Sequence, residues 1–233
     1  MRRFLSLLVA GGLAASACVV LAAPAGAQTG SLAEFCSARV ELNAAFSQEK
    51  AQSLAQLDRM VTNAPAAVAP AITEIRDAFK KKGPKAFDSE ELAPALATAD
   101  SFIYETCPGT KVPVTAIDYE FQGVPATLKA GPTNFKLTNA APKEFHEMGI
   151  VKMTAAGAAM DPEKLLALPE KKQEKLLDFS SSFGMFAPPG EAGYTLANLE
   201  PGEYLYACFI PVGSKKKGAP HFTEGMYGTF TVS

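Results

Sequence analysis

The chain has 233 residues, of which 48% are hydrophobic and 20% charged, and its formal net charge is −2. That length can bury one large or two small cores, and nothing in the near-neutral balance points to nucleic acid as a partner. With only two histidines, a histidine-rich enzyme holding several metal ions is excluded.

Residues 1–27 read as an export signal. Arg2 and Arg3 form a basic start, Phe4 to Ala23 carries no charge, and Ala25-Gly26-Ala27 is a small-x-small cleavage site that would leave Gln28 first. The apolar run is also nearly long enough to stay as an anchor, and Ala15-Ser16-Ala17-Cys18 loosely resembles a lipidation site. No later segment is apolar enough to span a membrane. The expectation is a secreted or cell-envelope protein without a span once the signal is gone.

Residues 28–108 predict a helical bundle domain. Ser31-x-x-Glu34 is a capping box for a first helix burying Phe35, Leu42 and Phe46. Three further stripes follow at three- and four-residue spacing: Ala51, Leu54, Leu57 and Val61; then Val68, Ile72, Ile75 and Phe79; then Leu92, Leu96, Ala99 and Ile103. Pro65, Gly83-Pro84 and Pro108-Gly109 punctuate them. Four short helices bury such stripes only against one another. Cys36 and Cys107 sit at ends that an antiparallel bundle brings together, so a disulfide between them is expected. In the chain-entropy model it stabilises by about 4 kcal/mol.

From residue 112 to 233 the period changes to two. Ile117, Tyr119 and Phe121 alternate with polar residues, as do Phe135 and Leu137, then Leu205, Ala207 and Phe209, then Phe230 and Val232. Gly131-Pro132, Pro188-Pro189-Gly190 and Pro201-Gly202 mark turns. This rhythm predicts an antiparallel β-sandwich. Asp161-Pro162-Glu163 opens a helical insertion over residues 161–179. The fold class is therefore α+β, a four-helix bundle followed by a β-sandwich.

Removing Cys18 with the signal leaves three cysteines, and pairing Cys36 with Cys107 leaves Cys208 alone. An odd cysteine in an oxidising compartment calls for another role. Upstream lies His146, and downstream His221 with Met226 at a His-x4-Met spacing. Two imidazoles and a thiolate with a weak thioether suit copper that cycles between its two oxidation states. Taken singly, each of these side chains also fits a plain surface or core role. No Ser-His-Asp set, phosphate loop or Cys-x-x-Cys is present, so no enzymatic activity is expected.

The same residues carry a family resemblance. Phe135-Lys-Leu-Thr-Asn139 before His146, Leu199-Glu-Pro-Gly-Glu-Tyr204, Cys208-Phe-Ile-Pro211, and His221 with Met226 ahead of a final strand together resemble the cupredoxins over residues 112–233. The resemblance implies a Greek-key sandwich holding one type 1-like copper ion through His146, Cys208, His221 and Met226. It implies electron transfer or copper handling with a redox or copper-exchange protein partner. Two departures stand out. Val212–Gly218 is an insertion between Cys208 and His221, and Glu147 follows the first histidine where the family often has Asn. The insertion motivates an alternative, a metal-free interaction or scaffold module. Lys215-Lys216-Lys217 reads as a solvated hairpin tip, or as a patch for an acidic partner. The first part resembles small Cys-bracketed helical domains of secreted bacterial proteins.

Overall fold

A computed structural model describes residues 30–46, 50–214 and 218–233. The export segment 1–27 and the lysines at 215–217 lie outside these residues, as does the side chain of Phe46.

Four helices come first: α1 (Leu32–Phe46), α2 (Lys50–Asn63), α3 (Ala69–Lys82) and α4 (Ala93–Thr106). Phe35, Leu42, Leu57, Ile72, Phe79 and Ile103 fill a common core. Pro70 and Pro94 sit in the first turns of α3 and α4, where a missing N–H leaves no bond unmade. On α2 the buried face differs from the expected stripe. Ser53, Leu57 and Met60 point inward and Ala51 is exposed. Both stripes fit a 3.6-residue period, and packing against α1 and α3 selects between them. Cys36 and Cys107 form a disulfide with Cα atoms 5.5 Å apart, joining α1 to the end of α4.

The strands follow as β1 (Thr110–Ile117), β2 (Glu120–Gln122), β3 (Thr127–Leu128), β4 (Gly131–Asn139) and β5 (His146–Met153). After three short helices, α5 (Ala155–Ala158), α6 (Pro162–Leu166) and α7 (Glu170–Gln173), come β6 (Leu177–Ala187), β7 (Ala192–Leu199), β8 (Gly202–Ala207) and β9 (Tyr227–Val232). One sheet has the order β2-β1-β4-β7 and the other β3-β9-β8-β5-β6. Val112, Val114, Phe135 and Leu137 from the first meet Met148, Ile150, Tyr204 and Phe230 from the second in a shared core.

Three expectations change. The sandwich is mixed, because β1 pairs with β4 and β3 with β9 in parallel. Between β1 and β4 the chain crosses to the other sheet as β3 and returns in its original direction. The alternation at Ile117, Tyr119 and Phe121 is a tight turn, with Tyr119 at φ 63 between β1 and β2. The helical insertion starts earlier and ends earlier than 161–179. Thr154 Oγ1 accepts from the Gly157 N–H and opens α5, while Leu177 already pairs with Met153 as strand.

The helices rest on β7. Leu196 lies in the helical core, Asn43 of α1 donates to the Leu196 carbonyl and to Thr195 Oγ1, and Tyr104 packs on Tyr194 at 5.5 Å. A cavity of about 330 Å³ opens between these layers, with Arg39 and Asp100 on its wall.

Candidate metal centre

The centre forms at one end of the sandwich, where β4 passes into β5. Asn139 closes β4 with its side chain fully engaged. Its Nδ2 donates to the Glu144 carbonyl at 2.8 Å and to the Ala187 carbonyl at 2.9 Å, and its Oδ1 accepts from the Ala141 N–H at 2.9 Å. These bonds pin the 140–145 connection and deliver His146 as the first residue of β5, opposite Ala187.

Cys208 follows β8 directly. Its N–H donates to the Met226 carbonyl at 3.0 Å, and its carbonyl accepts from the Phe222 N–H at 2.9 Å. His221 opens a short 3₁₀ turn that closes on Gly225 at φ 102, a left-handed position that suits glycine. The Met226 N–H then donates to the His221 carbonyl. These backbone bonds bring Cys208, His221 and Met226 together whatever the length of chain between the first two.

The insertion is closed at its neck. Pro211 and Pro220 form an antiparallel bridge, the Val212 N–H donates to the Ala219 carbonyl, and the His221 N–H donates to the Ile210 carbonyl. The extra residues leave the site and return at nearly the same point, so they do not splay the side chains they separate.

His146, Cys208 and His221 are fully buried, and their candidate donor atoms all lie within 4.8 Å of one another. Cys208 Sγ is 3.4 Å from His221 Nδ1, and the two imidazole rings are 5.0 Å apart. Met226 is fully buried in the adjoining core. Neither ring nitrogen of His146 has a hydrogen-bond partner among the described residues. Buried polar atoms in folded proteins are nearly always paired, and an orphan asks for an explanation such as an ion.

Electrostatics point the same way. Burial lowers the His146 pKa, and the His221 ring lowers it further. Burial also lowers the His221 pKa, opposed by Glu144. Both imidazoles are thus held as free bases with lone pairs available. Burial pushes the Cys208 thiol up to about 11, so metal binding there must displace a proton.

Glu147, next to His146, bonds to the segment around Cys208. Its carboxylate turns to accept from the Phe209 N–H at 3.2 Å, while its own N–H points at Cys208 Sγ at 3.5 Å. It therefore fixes the residue after the cysteine and offers the sulfur a weak donor. Two residues without a sequence signal also reach the site. Tyr119, set by its left-handed turn, meets the His221 ring edge-on at 4.9 Å. Glu144 lies 3.5 Å from His221 Nε2, a close electrostatic neighbour rather than a well-made hydrogen bond.

No protein-family model matches the chain, and no curated protein matches it. Solved structures of auracyanins match its C-terminal half. A dithionite-reduced auracyanin from Roseiflexus castenholzii is 17% identical, over 54% of this chain and 98% of its own, with a TM-score of 0.34. Auracyanin B is 22% identical, over 54% and 90%, with a TM-score of 0.35. Auracyanin A from Chloroflexus aurantiacus, described as a "blue" copper protein, is 21% identical, over 52% and 99%, with a TM-score of 0.31. At such identities and scores the likeness is slight, and the donor set stands on its own geometry.

Proposed function

We propose that the chain is a cupredoxin-like protein holding one type 1-like copper ion, exported from the cytoplasm and engaged in electron transfer or copper handling. The observation that carries this reading is the buried convergence of His146, Cys208 and His221, with both nitrogens of His146 unpartnered among the described residues. His146, Cys208 and His221 would hold the ion, with the Met226 thioether as a weaker fourth donor. Copper in such a set supplies one-electron chemistry. The protein supplies rigidity, since each ligand is tied by backbone hydrogen bonds and strand register rather than by a free loop.

The proposed layout keeps a signal over 1–27, a four-helix bundle over 28–108 and the copper domain over 112–233. The disulfide between Cys36 and Cys107 fits an oxidising compartment. Among the described residues no helix is long and apolar enough to cross a membrane. Phe145 and Phe209, each next in sequence to a proposed ligand, and Phe186, stacked on Phe145, are exposed, and this apolar surface is where a redox partner would dock. The metal-free alternative drew on the length of the insertion, whose neck is closed by the bridge between Pro211 and Pro220.

Loading the mature protein with Cu(II) tests the proposal. One equivalent of copper and an intense visible thiolate-to-copper band are expected, and Cys208→Ser should abolish the band. A protein that stays colourless and copper-free refutes it.

A further inference from the structure

The Glu144 carboxylate, two residues ahead of His146, reaches across to His221, 77 residues further along the chain. It is only 17% exposed, and its Oε2 lies 3.5 Å from His221 Nε2. Its Oε1 accepts from the Gly213 N–H at 3.1 Å, and its Oε2 accepts from Ser214 Oγ at 3.0 Å. Ser214 Oγ in turn accepts from the Phe145 N–H at 3.4 Å. The backbone of Glu144 is held independently, through its carbonyl, by Asn139 Nδ2. Hydrogen bonds thus hold the carboxylate at both oxygens and its backbone at the carbonyl.

On the opposite edge of the ring, His221 Nδ1 faces Cys208 Sγ at 3.4 Å. An imidazole has two orientations related by a half-turn about its bond to the chain, and two neutral tautomers. A carboxylate beyond Nε2 favours the arrangement with the proton on Nε2, leaving the Nδ1 lone pair directed at the cluster. His221 Nε2 has no hydrogen-bonding partner among the described residues, so Glu144 is the group placed to receive that proton's field.

From this geometry we infer that Glu144 is the positioning residue of the metal centre: it selects the ring orientation and tautomer of His221 and ties them to the first turn of the insertion. The inference builds on the copper reading, and the insertion acquires a task through it. Gly213 and Ser214 supply the donors that keep the carboxylate in place.

The experiment compares wild type with Glu144→Ala and Glu144→Gln, the second retaining size and an acceptor for the Gly213 N–H. Cu(II) affinity is measured by competition with a chelator, and the centre by visible and electron paramagnetic resonance spectra. Glu144→Ala should lose about 10–100-fold in affinity, the usual effect of removing an outer-shell partner, with a shifted spectrum. Glu144→Gln should fall between it and wild type, and it takes over the test if the alanine variant does not fold. Nitrogen-15 spectra of the metal-free protein give a second readout, with His221 expected as the Nε2–H tautomer in wild type and as a mixture in the variants. Wild-type affinity and spectra in both variants overturn the inference, and so does an Nδ1–H tautomer in the metal-free wild type. If wild type takes up no Cu(II), the copper reading fails alone, and the metal-free tautomer then decides the role of Glu144.

Discussion

Replacing Asn139 should damage fold and centre together, and aspartate should be no better than alanine. The side chain joins three backbone groups: it donates to the carbonyls of Glu144 and Ala187 and accepts from the N–H of Ala141. A net contribution of about 1 kcal/mol for each bond puts the loss in Asn139→Ala at about 3 kcal/mol. The cost rises where buried carbonyls stay unpaired. Asn139→Asp keeps the shape and the acceptor for Ala141, yet an ionised carboxylate has no proton for either carbonyl and places like partial charges against them. Urea unfolding of the metal-free variants at neutral pH measures both losses, and Cu(II) titration of the same samples should show weaker uptake because the 140–145 connection is no longer pinned ahead of His146. If Asn139→Asp stays within about 0.5 kcal/mol of wild type, the donor bonds do not hold this connection and the reasoning fails.

Three other outcomes are open to direct measurement. Replacing both Cys36 and Cys107 by alanine opens a link across a sequence separation of 71, and denaturant unfolding should show a loss of about 4 kcal/mol in the chain-entropy model. Asp100, whose burial raises its pKa to about 6, is favoured neutral in the folded state, so its contribution is fully present below its unfolded pKa of about 4 and is lost as pH rises through about 6. Partly open to the cavity, it should make Asp100→Asn more stable than wild type by about 1–2 kcal/mol at pH 8, a gain that vanishes in melts near pH 4. Ala in place of Gly225, at φ 102, should lower thermal stability by about 1–2 kcal/mol and loosen the turn between His221 and Met226, visible as weaker Cu(II) uptake.

What was legible in the sequence was what rare residue types and simple periods report. Two histidines and one leftover cysteine made a short list, and the structure brings them within 4.8 Å. Val112, Val114 and Ala116 alternate and are buried. Elsewhere the controlling contacts are distant in sequence. Strand β6 was hidden because Asp178-Phe-Ser-Ser-Ser-Phe183 bulges against β5, the register jumping between Ile150 and Lys152, and a bulge erases period two. Tyr119 looked like a strand residue because its neighbours alternate, although its backbone turns over. Glu144 carries no motif, and its role appears only once Gly213, Ser214 and His221 arrive from some seventy residues away. The closure of the insertion depends likewise on the pairing of Pro211 with Pro220, which spacing alone does not reveal.

Leu196 belongs to a strand, yet its side chain completes the core of the helices. Excised after residue 108, the helical segment would keep its disulfide and still expose a hole where that leucine sat. Large-to-small changes in a core typically cost 2–5 kcal/mol, a heavy fraction of what so small a bundle can muster. The two halves are therefore expected to melt as one cooperative unit, and fragments that end before the sandwich should be only marginally folded.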